Sequence, residues 1–374
     1  MAASWNDLAS TSYRFMRVSR KTGYETEEIP CLKGGTVTRN DDTRIKESAT
    51  ATMVEEYDFG PDFVRIYIDG VTHDGSKLTD CLGTFLPVAP SRTINGPVSQ
   101  YSLQMYGRLQ ELLDDQFSSP YTVASGSNAV AAVKKICEDS GLTVVVVGTP
   151  TYTVTDSRYY GVGATQQNSE VGDTKLDAIN DLLDLANYRS AHTDVYGRIV
   201  LEPYYDADDI AASATFAPGA SSSTVRFERS MEYEADYTST ANHVVVRYSS
   251  TEKNKTIAAE AWDKSETSPY STVSRGRTIT SSYTYEELPP GNSDAEMQKY
   301  ANNRAKTLLA TAQSVIKRIT FSCPYVRLGI NDTVNFGYPA GNVSGKFQIR
   351  TMTLSLKGGC PTEIEARRYT RRTS

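Results

Sequence analysis

Long apolar runs are missing from this sequence. No stretch of its 374 residues approaches the roughly 20 apolar positions that a membrane-crossing helix needs, so no membrane anchor is expected. The opening MAASWNDLAS has no basic region followed by an apolar run, and no secretory signal is read there. Cysteine is sparse and odd in number. Cys31, Cys81, Cys137, Cys323 and Cys360 lie far apart and fit neither a disulfide framework nor a zinc spacing. They are expected as buried apolar residues of a protein made in a reducing compartment. Histidine is rarer still: His73, His192 and His243 are scattered, and none sits in HExxH or beside a cysteine at ligand spacing. Positive charge is also short, with 39 Lys and Arg against 45 Asp and Glu and a net charge of -6. That balance argues against a broad nucleic-acid-binding face, which needs clustered cations. The one basic cluster, Arg367, Arg368, Arg371 and Arg372, reads as a solvated strand end and frayed terminus.

The motifs of catalysis are absent or incomplete. Gly341 to Lys346, GNVSGK, has three residues between its glycines where a phosphate loop needs four, and Phe347 follows the lysine. It is read as a turn. Gly161-Val162-Gly163 begins a dinucleotide-type run, but Gln166 stands where the third glycine belongs. Asp206-Ala207-Asp208-Asp209 lacks the glycine and closing glutamate of a calcium loop and is read as an acidic linker. No GxSxG elbow occurs. His243 opens an alternating strand and is taken as structural. No catalytic, cofactor-binding or metal-ligating residue is therefore assigned, and no cofactor is expected.

What is present points to strands. At 39% hydrophobic and 22% charged, the composition is that of an ordinary globular protein of about two to four domains. Tyrosine outnumbers phenylalanine 24 to 10, and Thr and Val abound, which favours β structure. Residues 1–100 read as a first β-barrel: a hairpin around Lys21-Thr22-Gly23, and alternation of Val64, Ile66 and Ile68 against Arg65. Residues 101–205 read as an α+β insert. Its first helix is capped at Asn128 and ended by Gly141, and its second is capped at Asp173 or Thr174. Tyr101 to Gln116 fits either a helix or a strand with a helical tail. Residues 206–223, rich in Ala, Ser and Asp, read as a linker. Residues 224–374 read as a second β-barrel carrying a helix over 293–312, with Ser293 and Glu296 in capping-box positions and Met297, Leu308 and Leu309 on one face. That face is expected to pack on the second barrel. In the strand at Lys346–Leu356 the inward positions change from odd (Phe347, Ile349) to even (Met352, Leu354), so a bulge is expected near Arg350-Thr351.

Four stretches carry a family resemblance. They are Phe63–Ile68 leading to LGTFLP at Leu82–Pro87; Tyr101-Ser102-Leu103 with Tyr121-Thr122-Val123 and Gly126-Ser127-Asn128; LDAINDLL at Leu176–Leu183 followed by the Gly197 hairpin; and Ser274-Arg275-Gly276-Arg277 with the helix–strand–Asn331-Asp332 unit. Together they resemble the baseplate hub and tail-tip hub proteins of tailed bacteriophages. The resemblance implies a mainly β fold, with two related β-barrel domains and small α/β domains. It implies a homotrimer whose six barrels join a sixfold tail tube to a threefold tip. A tail tube or distal tail protein would bind one face and a tip, fibre or spike protein the other. The tape-measure protein would occupy the lumen, and DNA would pass without specific binding. The expected location is the virion tail, with assembly in the host cytoplasm. Many relatives carry a lytic or receptor-binding extension; here Ser374 directly follows the last strands, so a lytic role is not expected. The alternatives are a tail-associated cell-wall-degrading enzyme using an unrecognised carboxylate pair and a carbohydrate-binding adhesin, suggested by the tyrosines.

Overall fold

The computed structural model describes residues 5–95, 98–161, 174–205, 210–219, 224–236, 240–268, 270–291, 293–312 and 315–370. The first part of the chain forms β1 (Leu8–Val18), β2 (Glu25–Glu28), β3 (Leu32–Asn40), β4 (Glu47–Met53), β5 (Phe63–Thr72), β6 (Lys77–Asn95) and β7 (Val98–Tyr106). Short elements follow: α1 (Leu109–Asp114), β8 (Tyr121–Val123), α2 (Ala129–Asp139), β9 (Val144–Val146), β10 (Arg158–Tyr160), α3 (Lys175–Leu185), β11 (His192–Thr193) and β12 (Ile199–Leu201). The last part contributes β13 (Ala214–Phe216), β14 (Met231–Asp236), β15 (His243–Ser250), β16 (Lys255–Trp262), α4 (Thr272–Arg275), β17 (Thr280–Tyr285), α5 (Asp294–Ala312), β18 (Val315–Cys323), β19 (Thr333–Tyr338), β20 (Val343–Ser355) and β21 (Thr362–Thr370). The fold is mainly β with an α+β insert, as the composition implied.

One 13-stranded sheet unites the two ends of the chain, in the order β14-β18-β21-β20-β3-β4-β7-β6-β5-β1-β2, with β19 and β13 branching from β20. The link is the antiparallel pairing of β3 with β20, from Asn40↔Thr351 to Thr36↔Ser355. Alternation drives the burial. Val64, Ile66 and Ile68 of β5 are fully buried, while Arg65 and Asp69 on the other face pair with Glu25 and Arg14. The inward residues of both chain ends fuse into a single core, in which Phe15, Phe85 and Met105 join Phe321, Phe347 and Met352. Two of the register shifts in this sheet can be traced to sequence. The expected bulge in β20 falls between Ile349 and Thr351. A second interrupts β3, where Gly35 at φ +123° lets the strand approach β4 so closely that a Cβ would lie 1.9 Å from the Thr50 carbonyl oxygen.

The insert has its own core, built from α1–α3 and short strands. Asn128 Oδ1 accepts from Ala131 N at 2.9 Å to cap α2, and Gly141 follows its end at φ +76°. Thr174 is the N-cap of α3, accepting from Asp177 N at 3.3 Å. The ambiguous stretch from Tyr101 resolves as the end of β7 followed by the short α1.

One expectation is corrected and one is sharpened. The Ala214–Phe216 stretch, read as linker, is strand β13, parallel to β19 with Phe216 opposite Phe336. Its Ala-Ser-Asp surroundings concealed one large anchor: Phe216 is fully buried and meets Phe321 edge-on at 4.9 Å. Helix α5 does begin after Ser293, whose Oγ accepts from Glu296 N at 3.3 Å. Its apolar face packs on strands within residues 224–374, but these strands stand apart from the large sheet. Ala301, Ala305 and Leu309 lie against Val244, Val246, Ile257, Ala259 and Ala261 of a separate three-stranded sheet, β16-β15-β17, and Leu308 is only partly buried. The small residues on both surfaces explain the choice, because alanine facing alanine lets helix and sheet approach closely.

Candidate functional site

The residues that sequence reading tested for chemistry lie apart. His73 is exposed and bonds Asp7 at 3.0 Å. His243 stacks on Trp262 with ring centroids 3.5 Å apart, and its Nδ1 meets Thr280 Oγ1 at 2.9 Å. His192 lies where the insert meets the large sheet. All five cysteines are free and buried. Burial pushes the Cys81 and Cys360 thiols up to about 11 and those of Cys137 and Cys323 up to about 12, which leaves little thiolate at neutral pH. Of GNVSGK, read as a turn, only Gly341 and Asn342 lie in one, with Asn342 at φ +52°; Val343 to Lys346 already pair with β19 as the start of β20, and Lys346 Nζ donates to the Ile210 carbonyl at 2.9 Å. Among the described residues, no group of three or more His, Cys, Asp or Glu side chains is placed to hold a metal ion. Gly163, Asp206 to Asp209, Arg371 and Arg372 fall outside the described residues.

What the fold does present is a set of seams and edges. The first seam follows the β3–β20 pairing. Asp41, in the turn after β3, accepts from Lys46 at 3.1 Å and also pairs with Arg350 of β20. Asp42 receives Arg350 at 2.8 Å and Arg367 of β21 at 2.6 Å. Burial raises the Asp41 carboxyl, but Lys46 and Arg350 outweigh it and hold the group below its ordinary range. The second seam joins β4 to the insert. Thr193 of β11 donates to the buried Glu47 through its hydroxyl at 2.7 Å and its N–H at 3.3 Å. Beside them is a cavity of about 240 Å3 lined by Arg39, Glu47, Leu82–Phe85, His192–Val195 and Gly329-Ile330. Burial pushes the Glu47 carboxyl up to about 7, the Thr193 bonds and the charges of Arg39 and Lys46 offsetting only part of that cost. The third seam ties the insert to the α5 unit. Tyr152 and Thr155 donate to the two oxygens of Glu287 at 2.6 and 2.8 Å, and Lys253 pairs with Asp156 at 3.0 Å.

The edges differ from one another. Strand β2 ends the large sheet with four exposed residues, Glu25 to Glu28, whose first carboxylate accepts from Arg65 and Tyr67. Strand β14 ends it on the opposite side, with Tyr233 45% exposed. The β6–β7 ribbon leaves the core beyond Phe85, so that Val88 is 45% and Ile94 65% exposed. It keeps its own pairing, including Ser91 Oγ to Ser102 Oγ at 2.7 Å. Sequence reading passed over Glu47 although its signal was there: in ESATATM the buried positions are Glu47, Ala49, Ala51 and Met53, so period-two alternation puts the glutamate on the core face.

A molecule of this kind, a sheet-built scaffold with polar seams, has the fold of phage tail proteins. Three solved structures carry that statement. The tail protein of Neisseria meningitidis MC58 superposes with a TM-score of 0.65 at 14% identity, covering 95% of this chain and 96% of that one. The 43 kDa tail protein of prophage MuSo2 from Shewanella oneidensis gives 0.60 at 11% identity, over 96% and 98%. A VgrG-containing complex from Francisella gives 0.52 at 10% identity, over 98% of this chain and 59% of that one. No family model matches the sequence. No curated protein sequence matches it either.

Proposed function

We propose that this chain is a non-enzymatic structural hub of a phage-type tail, placed in the virion tail and assembled in the host cytoplasm. The observation that carries the reading is the shared fold with the Neisseria tail protein, over 95% of one chain and 96% of the other. In this reading residues 1–100 and 224–374 supply two related barrels, held side by side by the β3–β20 pairing. Three copies then present six barrels to a sixfold tail tube and three equal surfaces to a tip. A closed ring needs two unlike surfaces per copy, and the sheet ends in two unlike edges, β2 and β14, which supports head-to-tail contact. One face of the ring would meet the tube or a distal tail protein, the other a tip, fibre or spike protein, with the tape-measure protein in the lumen before DNA passes. The net charge of -6 suits a conduit that must not retain DNA.

The test is an image of the protein in its assembled particle. Three chains around one axis, with six barrels lining a single channel, are expected. Six chains per ring, or barrels lying outside it, overturn the assignment. Sustained release of cell-wall fragments by the purified protein, abolished by one Asp or Glu substitution, would overturn the non-enzymatic part.

A further inference from the structure

The seam between the large sheet and the insert contains two ionisable groups that face one cavity: Glu47, which has no ion pair, and His192, whose nearest carboxylate, Glu202, is at the outer limit of ion-pair distance. Glu47 is 7% exposed, and its hydrogen bonds are the two from Thr193. His192, the residue before Thr193 in β11, has 14% of its side chain exposed; its Nε2 is 4.0 Å from Glu202, and its buried Nδ1 has no hydrogen-bond partner. The charges around them are committed elsewhere. On β3, Arg39 donates to the carbonyls of Leu82 and Leu328 at 2.8 and 2.6 Å. Before β4, Lys46 pairs with Asp41. After β7, Arg108 pairs with Glu111 at 2.8 Å, and in the turn beyond β11 Asp194 pairs with Arg198 at 2.6 Å. Arg189 pairs with Glu202 at 3.4 Å and donates to Asn331. The β6 wall, Leu82 to Phe85, and the Gly329-Ile330 wall bring no charge.

We propose that opening this seam moves a proton from Glu47 to His192: both are uncharged while β11 is docked on β4, and both are charged once it departs. Because Thr193 is the hydrogen-bond partner of Glu47, departure of β11 hands the carboxyl to water. It frees the imidazole in the same step. Burial acts on the two groups in opposite senses, raising the carboxyl and lowering the imidazole. The signs follow. A carboxyl raised from 4.5 stabilises the docked state at low pH and loses that contribution as pH rises toward 7. An imidazole lowered from 6.5 stabilises the docked state at high pH and loses that contribution as pH falls below 6.5. Below 6.5, for as long as the docked imidazole stays neutral and above the free carboxyl's 4.5, opening releases one proton and takes up one, and the strength of the seam becomes independent of pH. The pair compensates for acidity at the junction of two parts of the molecule.

The experiment is amide hydrogen exchange of the full chain, read in residues 188–203 from pH 4.5 to 6.5 and corrected for the intrinsic exchange rate. The wild type should show opening that is flat within about twofold. Glu47→Gln leaves only the histidine, and opening should increase as pH falls, approaching tenfold per pH unit. His192→Gln leaves only the carboxyl, and opening should increase with rising pH at a similar slope. A steep wild-type profile, or a flat profile in either variant, overturns the proposal. Should Glu47→Gln fail to fold, a carbon-13 titration of the glutamate carboxyls in the wild type decides: a Glu47 midpoint near 4.5 overturns the proposal, and one well above it supports the proposal.

Discussion

Replacing Phe321 by alanine is expected to weaken the whole large sheet, including strands at the other end of the chain. Phe321 is 2% exposed. Its ring lies 4.9 Å from Phe216 and from Phe336, and 5.9 Å from Phe227. Truncating a buried Phe to Ala costs about 3–5 kcal/mol, and lost aromatic pairs of about 0.5–1.5 kcal/mol each place this site in the upper half, at about 4 kcal/mol. The two tryptophans separate the parts of the molecule. Trp5 packs edge-on to Tyr325, 4.7 Å away, and reports the large core. Trp262 ends β16 in the α5 unit, which has a core of its own. Urea unfolding is followed by fluorescence in Trp262→Phe and Trp5→Phe backgrounds. With a denaturant slope of about 2–3 kcal/mol per molar, the Trp5 transition should move down by about 1.5 M. The Trp262 transition should move by less than half as much. A Trp5 shift under about 0.3 M would refute the claim that both chain ends share one core.

Two further substitutions test local arguments. Gly35→Ala places a Cβ against the Thr50 carbonyl in a left-handed backbone position, and should cost at least about 3 kcal/mol or send the protein into aggregates; a thermal midpoint close to wild type would contradict the account of the β3 bulge. Asp41→Asn breaks a buried ion network and should cost about 3 kcal/mol at neutral pH. Because the Asp41 carboxyl is held below 3.8 in the folded state, its contribution is present above that value and is lost as pH falls through the folded range. The gap between wild type and variant in urea unfolding should thus narrow from pH 6 to pH 3, and an unchanged gap would count against the network.

Elements specified by near neighbours were legible in the sequence. The Ser293 cap of α5, the Asn128 and Thr174 caps, the Gly141 stop and the Ile349/Thr351 bulge each follow from residues within a few positions of the feature. Partner choice was not legible. The pairing of β3 with β20 and of β13 with β19 depends on strands far apart in sequence, and period-two alternation gives a strand its face but not its neighbour. For the same reason the sequence did not show that residues 224–374 part into two sheets, of which α5 covers the smaller. At the β4 seam the alternation was in plain sight. Glutamate at a strand start reads as solvent-facing by residue type, and the residue that buries it, Thr193, lies in the insert.

The β3–β20 pairing has a consequence for synthesis. A ribosome makes Asn40 of β3 some 311 residues (351 − 40) before its partner Thr351 of β20. At about 5–20 residues per second, β3 waits on the order of 15–60 s with one edge unmatched. During that interval the emerging polypeptide holds an open strand template, which β4 can cover on one side only. Strand β20 closes the sheet against β3, so a polypeptide halted before Thr351 leaves that edge of β3 unpaired. The order of translation thereby sets when the two ends of the sheet can meet.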